Sequence, residues 1–342
     1  MADDSGYLLF FCIPVSHEYS FSFLFIIKHI SMPQTTIHKR GMKLMGNHFE
    51  ITVVAADAYW ANQRIDMGVK EIKRIEDLLT TYNDESETNK INQYAGIRPV
   101  LVSNEIIQII ERSKKISEIT QGAFDISYGS VDKSLWNFDT EMKSLPSKKT
   151  AKNSVKLINY KNIEVDMMHS TVYLKEKGMR IGFGGIGKGY AAEMAKQVMK
   201  RAGVTSGVVN ASGDLTTWGN MPDGLPWTIG IANPNLSSQI FSYMDITDMA
   251  VATSGNYEKF VVINGEKYSH TIDPKTGLPI NGIKSVTIIS TNAEIADAMA
   301  TPVMIMGVEA GLNMINQIKN IEAIIITDND KIFTSRNINI IK

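Results

Sequence analysis

Eight residues constrain this chain more than any other stretch: Gly182-Phe183-Gly184-Gly185-Ile186-Gly187-Lys188-Gly189 contains five glycines. Backbone so free of Cβ atoms can bring its N–H groups close to an anion, and a helix starting there adds a favourable dipole. The string satisfies G-x-G-x-x-G, but a dinucleotide-binding fold also needs a βαβ unit and an acidic residue about twenty positions on. The segments before it read as antiparallel hairpins, and Asn210 to Gly213 stand at that distance. A Rossmann unit is therefore excluded. The string is also one residue from a Walker A loop, with Gly189 where that loop carries the Ser or Thr hydroxyl that holds magnesium. Two readings stay open: a nucleotide phosphate beside Lys188 with any metal held elsewhere, or tight strand–helix packing with no ligand.

Periodicity on either side sets the fold class. His48 to Ala55 alternates as a strand, and Ile65, Val69, Ile72, Ile75 and Leu79 mark one face of a helix over Asp57 to Leu79. Ser103 reads as the N-cap of a second helix, with Ile106, Ile107 and Ile110 on its buried face. Short strands are expected at Val155–Ile158, Ile163–Val165, Thr171–Leu174 and Met179–Phe183, before a helix over Tyr190 to Arg201. Further strands follow at Gly207–Asn210, Trp227–Ile231, Lys259–Ile263, Tyr268–Ile272 and Ser285–Ile289. A helix from Ala293, another near Val308–Ile318, and strands Ala323–Ile326 and Lys331–Thr334 complete the chain. Strand groups interrupted by helices without regular alternation predict an α+β fold, mostly antiparallel, in one catalytic domain.

Composition narrows the function classes. With 35 basic against 36 acidic residues and a net charge of −1, nucleic acid is not the expected partner. The single cysteine, Cys12, can form no intrachain disulfide and no cysteine-built metal site. Residues 1–31 stand apart as an aromatic and aliphatic extension. Asp3 and Asp4 occupy the start where an export signal is basic, and His17-Glu18 split the apolar run that a membrane span needs whole. The extension reads either as a degenerate signal or anchor, or as a start codon placed too early, with Met32 or Met42 as natural starts.

Asp297 and Thr301 lie four apart on one helix face, where a carboxylate and a hydroxyl can give a hard cation two oxygens. The plainer alternative is a solvated Asp297 and a Thr301 that caps the break before Pro302. His270 precedes a turn started by Asp273-Pro274 and is a candidate proton acceptor near neutral pH, or else an ordinary surface histidine. Asn210 to Asp214 and Thr253 to Tyr257 are small, polar and turn-forming. Neither Ser212 nor Ser254 lies in a nucleophile elbow.

Read in order, these pieces resemble the FAD:protein FMN transferases, the ApbE family. The matching stretches are Met45-Gly46, Gly122-Ala123-Phe124-Asp125, Gly184 to Ala191, Asn210 to Asp214, Thr253-Ser254-Gly255 with Tyr257, His270 to Gly277, and Ala296-Asp297-Ala298 with Ala300-Thr301. They keep family order from about residue 42 to residue 336.

The resemblance implies an enzyme that uses FAD and magnesium, moves FMN to a Thr or Ser hydroxyl of a target flavoprotein through a phosphoester, and releases AMP. In the family's terms Asp297 and Thr301 are side-chain ligands of Mg2+ and Gly185 offers a backbone carbonyl. Met45, Ala123, Phe124, Asp125 and Lys188 would contact the flavin nucleotide, and His270 would accept the proton of the target hydroxyl. Expected acceptors are subunits of membrane redox complexes or extracytoplasmic flavoproteins, which implies a cell-envelope setting, although a cytoplasmic one stays open. The chain has no Ser/Thr-Gly-Ala-Thr stretch of the kind family targets carry, so self-flavinylation is not expected. It departs from the family at Asn47, Gly182, Ser212 and Pro302, and the absent aspartate at Gly182 makes carry-over there unsafe. Hydrolysis of FAD to FMN and AMP, and flavin binding without catalysis, are the alternatives.

Overall fold

The computed structural model describes residues 34–136, 142–233, 236–256 and 260–338. The hydrophobic extension with Cys12, and Tyr257, lie outside the described residues. Thr35 to Lys342 form one compact unit.

Its centre is an eight-stranded sheet in which every neighbouring pair is antiparallel. From one edge the order is Thr36–Leu44, Asn47–Ala55, Gly207–Ala211, Asp214–Trp218, Ala250–Gly255, Ile283–Ser290, Ile321–Thr327 and Ile332–Thr334. Seven α-helices occur among the described residues: α1 (Ala58–Leu79), α2 (Glu87–Gln93), α3 (Asn104–Ile119), α4 (Lys148–Ser154), α5 (Gly187–Arg201), α6 (Ala293–Met306) and α7 (Val308–Ile315). The α+β class read from the sequence is the one observed.

Helices α1, α5 and α6 lie on one face of the sheet. There Ile65, Ile72 and Ile75 of α1 join Phe49, Ile51, Val53 and Val209 in one buried core. Truncating such a residue to alanine costs about 2–5 kcal/mol. On the other face a smaller cluster unites Leu215, Val251, Ile289 and Ile324 with Trp227 and Ile246 of the hairpin Trp227–Asn233/Leu236–Ile246. Because both faces are covered, Ile283–Ser290 is buried along its whole length, its polar Lys284, Ser285, Thr287 and Ser290 included. Caps sit where the residue types place them: Asp57 accepts from the Trp60 N–H, and Ser103 from the Ile106 N–H.

Three local expectations need correction, and one strand had no counterpart among them. Val155–Ile158 is the turn after α4, a helix capped by Ser147, and forms no strand. Met179–Phe183 is extended without a neighbouring strand: the Asn92 side chain satisfies both the N–H (2.7 Å) and the carbonyl (3.0 Å) of Ile181. A side chain there does the work of a ladder. Thr253-Ser254-Gly255 belongs to a central strand rather than a turn, and its small Ala250 and Ala252 leave room for α6. The edge strand Thr36–Leu44 was not foreseen, because its exposed Lys39 and Lys43 replace apolar alternation.

Candidate functional site

The glycine-rich stretch turns directly into α5, whose N-cap, Ile186, has no capping side chain. The first-turn N–H groups of a helix have no partner within it. Here one partner arrives from another helix: Asp297 of α6 accepts the Gly189 N–H at 2.9 Å. Gly189 permits this approach, since a Cβ there would fall 2.2 Å from the Ala293 carbonyl oxygen and 2.7 Å from the Asp297 Cβ. The position where a Walker A loop has a hydroxyl is thus closed to any side chain by helix–helix packing.

Asp297 is buried, and burial together with the nearby Asp214 carboxylate pushes its pKa up to about 7, against the pull of Lys188. Asp214 closes the hairpin Gly207–Ala211/Asp214–Trp218, whose turn residues Ser212 (φ 57°) and Gly213 (φ 98°) are both left-handed. Its carboxylate accepts from Lys188 Nζ and from the Thr253 N–H, and burial pushes its pKa up while Lys188 opposes the shift. One turn beyond Asp297, the Thr301 hydroxyl hydrogen-bonds Ser254 Oγ at 2.9 Å.

In front of this cluster opens a cleft of about 1190 Å³. Met45, Ala123, Phe124, Asp125, Gly185, Lys188, His270 and Thr301 all line it, so segments far apart in the chain meet there. Asp297 is the one candidate that does not line it; it stands behind the turn, bonded to Gly189. Met45 occupies the turn between the first two sheet strands with φ 50°, and the Asn47 side chain clips its carbonyl at 2.8 Å. Phe124 and Ala123 are buried in the wall. Asp125 is engaged with the chain itself: it accepts from the Ser127 N–H (2.8 Å), Ser127 Oγ (2.6 Å) and the Tyr160 N–H (2.7 Å), and burial raises its pKa. His270 is exposed at the end of the hairpin Phe260–Ile263/Glu266–Ser269. The turn after it is built on Asp273, which accepts from the Lys275 N–H and Thr276 Oγ1.

Asp214, Ser254 and Arg180 were not singled out from the sequence as site residues. Asp214 and Ser254 lay inside stretches noted for their turn-forming character, but their partners, Lys188 and Thr301, are 26 and 47 positions away. No local signal links such pairs. Arg180 lines the cleft beside Gly182.

The donor set suits a hard divalent cation. Two buried carboxylates face one ammonium, leaving an excess negative charge beside a hydroxyl and a free-standing glycine turn. Among the described residues no three His, Cys, Asp or Glu side chains cluster as a metal site, so backbone, hydroxyl and ligand oxygens would have to complete the shell.

The "ApbE family" model matches residues 45–325 of this chain. A relative from Klebsiella pneumoniae (strain 342), named "FAD:protein FMN transferase", is 30% identical over 306 residues, covering 89% of this chain and 93% of its own. One of the same name from Escherichia coli (strain K12) is 27% identical over 281 residues, or 80% of each chain. Among solved structures, the ApbE protein from Thermotoga maritima superposes with a TM-score of 0.78 at 29% identity, covering 88% of this chain and 97% of that one. The flavin transferase ApbE from Vibrio cholerae shares the fold, with a TM-score of 0.76 at 24% identity over 88% and 97% of the two chains.

Proposed function

Since the chain belongs to the ApbE family, we propose that it is a FAD:protein FMN transferase that uses magnesium, joins FMN to a Ser or Thr hydroxyl of a protein acceptor, and releases AMP. The observation that carries this reading is the single cleft in which eight residues from five separated segments of the family's motifs meet in front of a buried cluster with more carboxylates than cations.

In this reading the apolar walls at Met45, Ala123 and Phe124 hold the flavin, and the glycine turn with the start of α5 faces the pyrophosphate. Lys188 supplies a fixed positive charge there, itself oriented by Asp214. Asp297, Thr301 and the Gly185 carbonyl would hold Mg2+, which when bound polarises the pyrophosphate and offsets charge on the departing phosphate. Ser254 fixes the Thr301 hydroxyl by the hydrogen bond between them. His270, at the cleft mouth, takes the proton of the acceptor hydroxyl as its oxygen bonds to the FMN phosphorus and the bond from that phosphorus to the AMP oxygen breaks. Acceptors of this kind sit in membrane redox complexes or outside the cytoplasm, and we place the enzyme at the cell envelope on that ground.

Incubation of the purified chain with FAD, Mg2+ and a candidate flavoprotein separates the readings. FMN attached to the acceptor and an equal amount of AMP are expected. Free FMN with an unlabelled acceptor would show a FAD pyrophosphatase, and intact FAD would show a binding protein.

A further inference from the structure

A second recess, of about 750 Å³, adjoins the cleft. Asp125 lines both, and the loop that carries His270 into the cleft borders this groove with Pro274 and Lys275. The loop is seated firmly there. Gly277 (φ 72°) packs so closely on α4 that a Cβ would fall 2.0 Å from the Ala151 carbonyl oxygen, and Lys152 Nζ donates to the Lys275 carbonyl at 2.5 Å.

The groove is basic although the chain as a whole is not. Lys152, Lys156, Lys161 and Lys275 line it, all exposed, against the carboxylates Glu118 and Asp125. Those two are already spent: Glu118 pairs with Lys115 at 2.7 Å, and Asp125 is saturated by Ser127 and Tyr160. None of the four lysines forms a salt bridge among the described residues, although Lys161 lies close enough to Glu118 to lower its pKa. Four like charges in a concave site, outnumbering the two carboxylates of its lining, repel one another and favour an anionic occupant. A recess of this shape suits an inserted segment better than a flat lipid surface.

We propose that this groove docks an acidic segment of the acceptor protein, next to the hydroxyl that is modified at His270. The inference rests on the transferase reading, because only a macromolecular substrate needs a foothold outside the cleft. Rim charges of this type set partner choice and association more than they set chemistry.

The test uses two fluorescein-labelled peptides with the same Ser-Gly-Ala-Thr core, one flanked by aspartates and one by lysines. Each is followed by anisotropy and by mass spectrometry after addition of FAD and Mg2+. The aspartate peptide is expected to bind about tenfold more tightly, with the preference falling as salt rises. K156E/K161E/K275E should erase that preference and K156Q/K161Q/K275Q should halve it on a logarithmic scale, with FAD affinity and Tm of both variants at the wild-type values. Equal binding of the two peptides, or an unchanged preference in the folded charge-reversed variant, overturns the proposal. Groove-dependent binding of phosphatidylglycerol vesicles without peptide preference overturns it in favour of a lipid surface. Groove-dependent binding of the aspartate peptide with no FMN added to it supports the groove and counts against the transferase reading instead.

Discussion

Two charged clusters flank α5, and they differ in how their carboxylates are paired. Away from the cleft, Arg74 is bridged by Glu71 and Glu105, with Arg74–Glu105 contacts of 2.7 and 2.8 Å. Glu105 also accepts from the Tyr190 hydroxyl, Arg112 pairs with Glu294, and Lys196 pairs with Glu193 and bonds Thr216. Each carboxylate there touches a cation, Glu71 and Glu105 sharing Arg74, and the Arg74 hydrogen bond, set against burial, holds Glu105 below the usual carboxylate range, while burial pushes Glu294 up. On the cleft side, Asp214 pairs with Lys188 while Asp297 bonds the Gly189 N–H and has no ion pair among the described residues, and burial drives both pKa values up. A network in which every carboxylate touches a cation is sufficient to itself and reads as architecture. A buried carboxylate with no cation against it is costly until something positive joins it.

That contrast can be broken by substitution on either side. The largest effect is expected for Asp297→Ala, which should abolish turnover, a loss of about a thousandfold or more, while FAD still binds. Unchanged turnover would remove Asp297 from the proposed metal role. His270→Ala should slow FMN transfer by about a hundredfold or more with FAD affinity nearly intact; transfer rates and flavin titrations read the two separately. Gly189→Ala should destabilise the fold by roughly 1–3 kcal/mol in denaturant titrations, because its Cβ meets the Ala293 carbonyl. On the paired side, Glu105→Gln should cost about 1–2 kcal/mol of stability and leave the Mg2+ dependence of turnover unchanged.

The smallest effect is on pH. The folded pKa of Asp297 lies above that of an unfolded carboxylate, so the folded state binds the extra proton between the two values. Its contribution to stability is present below about pH 4 and is lost as pH rises through about 7 in the metal-free protein. Urea titrations at about pH 5 and about pH 8 should show this slope reduced in Asp297→Asn, and reduced also in wild type by added Mg2+.

The legible parts of the molecule were those with local causes. Five apolar residues at helical spacing with Asp57 in front specify α1, and the glycine string specifies an open helix start at α5. The candidate residues Met45, Phe124, Lys188 and His270 could be named because each belongs to a compact motif, and the fold brings them to one cleft. What escaped was non-local. Asp214 matters through Lys188 and Thr253, and Ser254 through Thr301, contacts that exist only once the strand Ala250–Gly255 lies between its neighbours. Met179–Phe183 misled for a related reason: an extended run looks the same whether a strand or the Asn92 side chain satisfies it.

The most direct test of the account is the intact mass of a candidate acceptor flavoprotein co-expressed with the wild-type chain and, in parallel, with Asp297→Ala. The account predicts one FMN added to an acceptor Ser or Thr by the wild type and an unmodified acceptor with the variant. An acceptor left unmodified by the wild type while FAD is consumed, or modified equally by both, would contradict it.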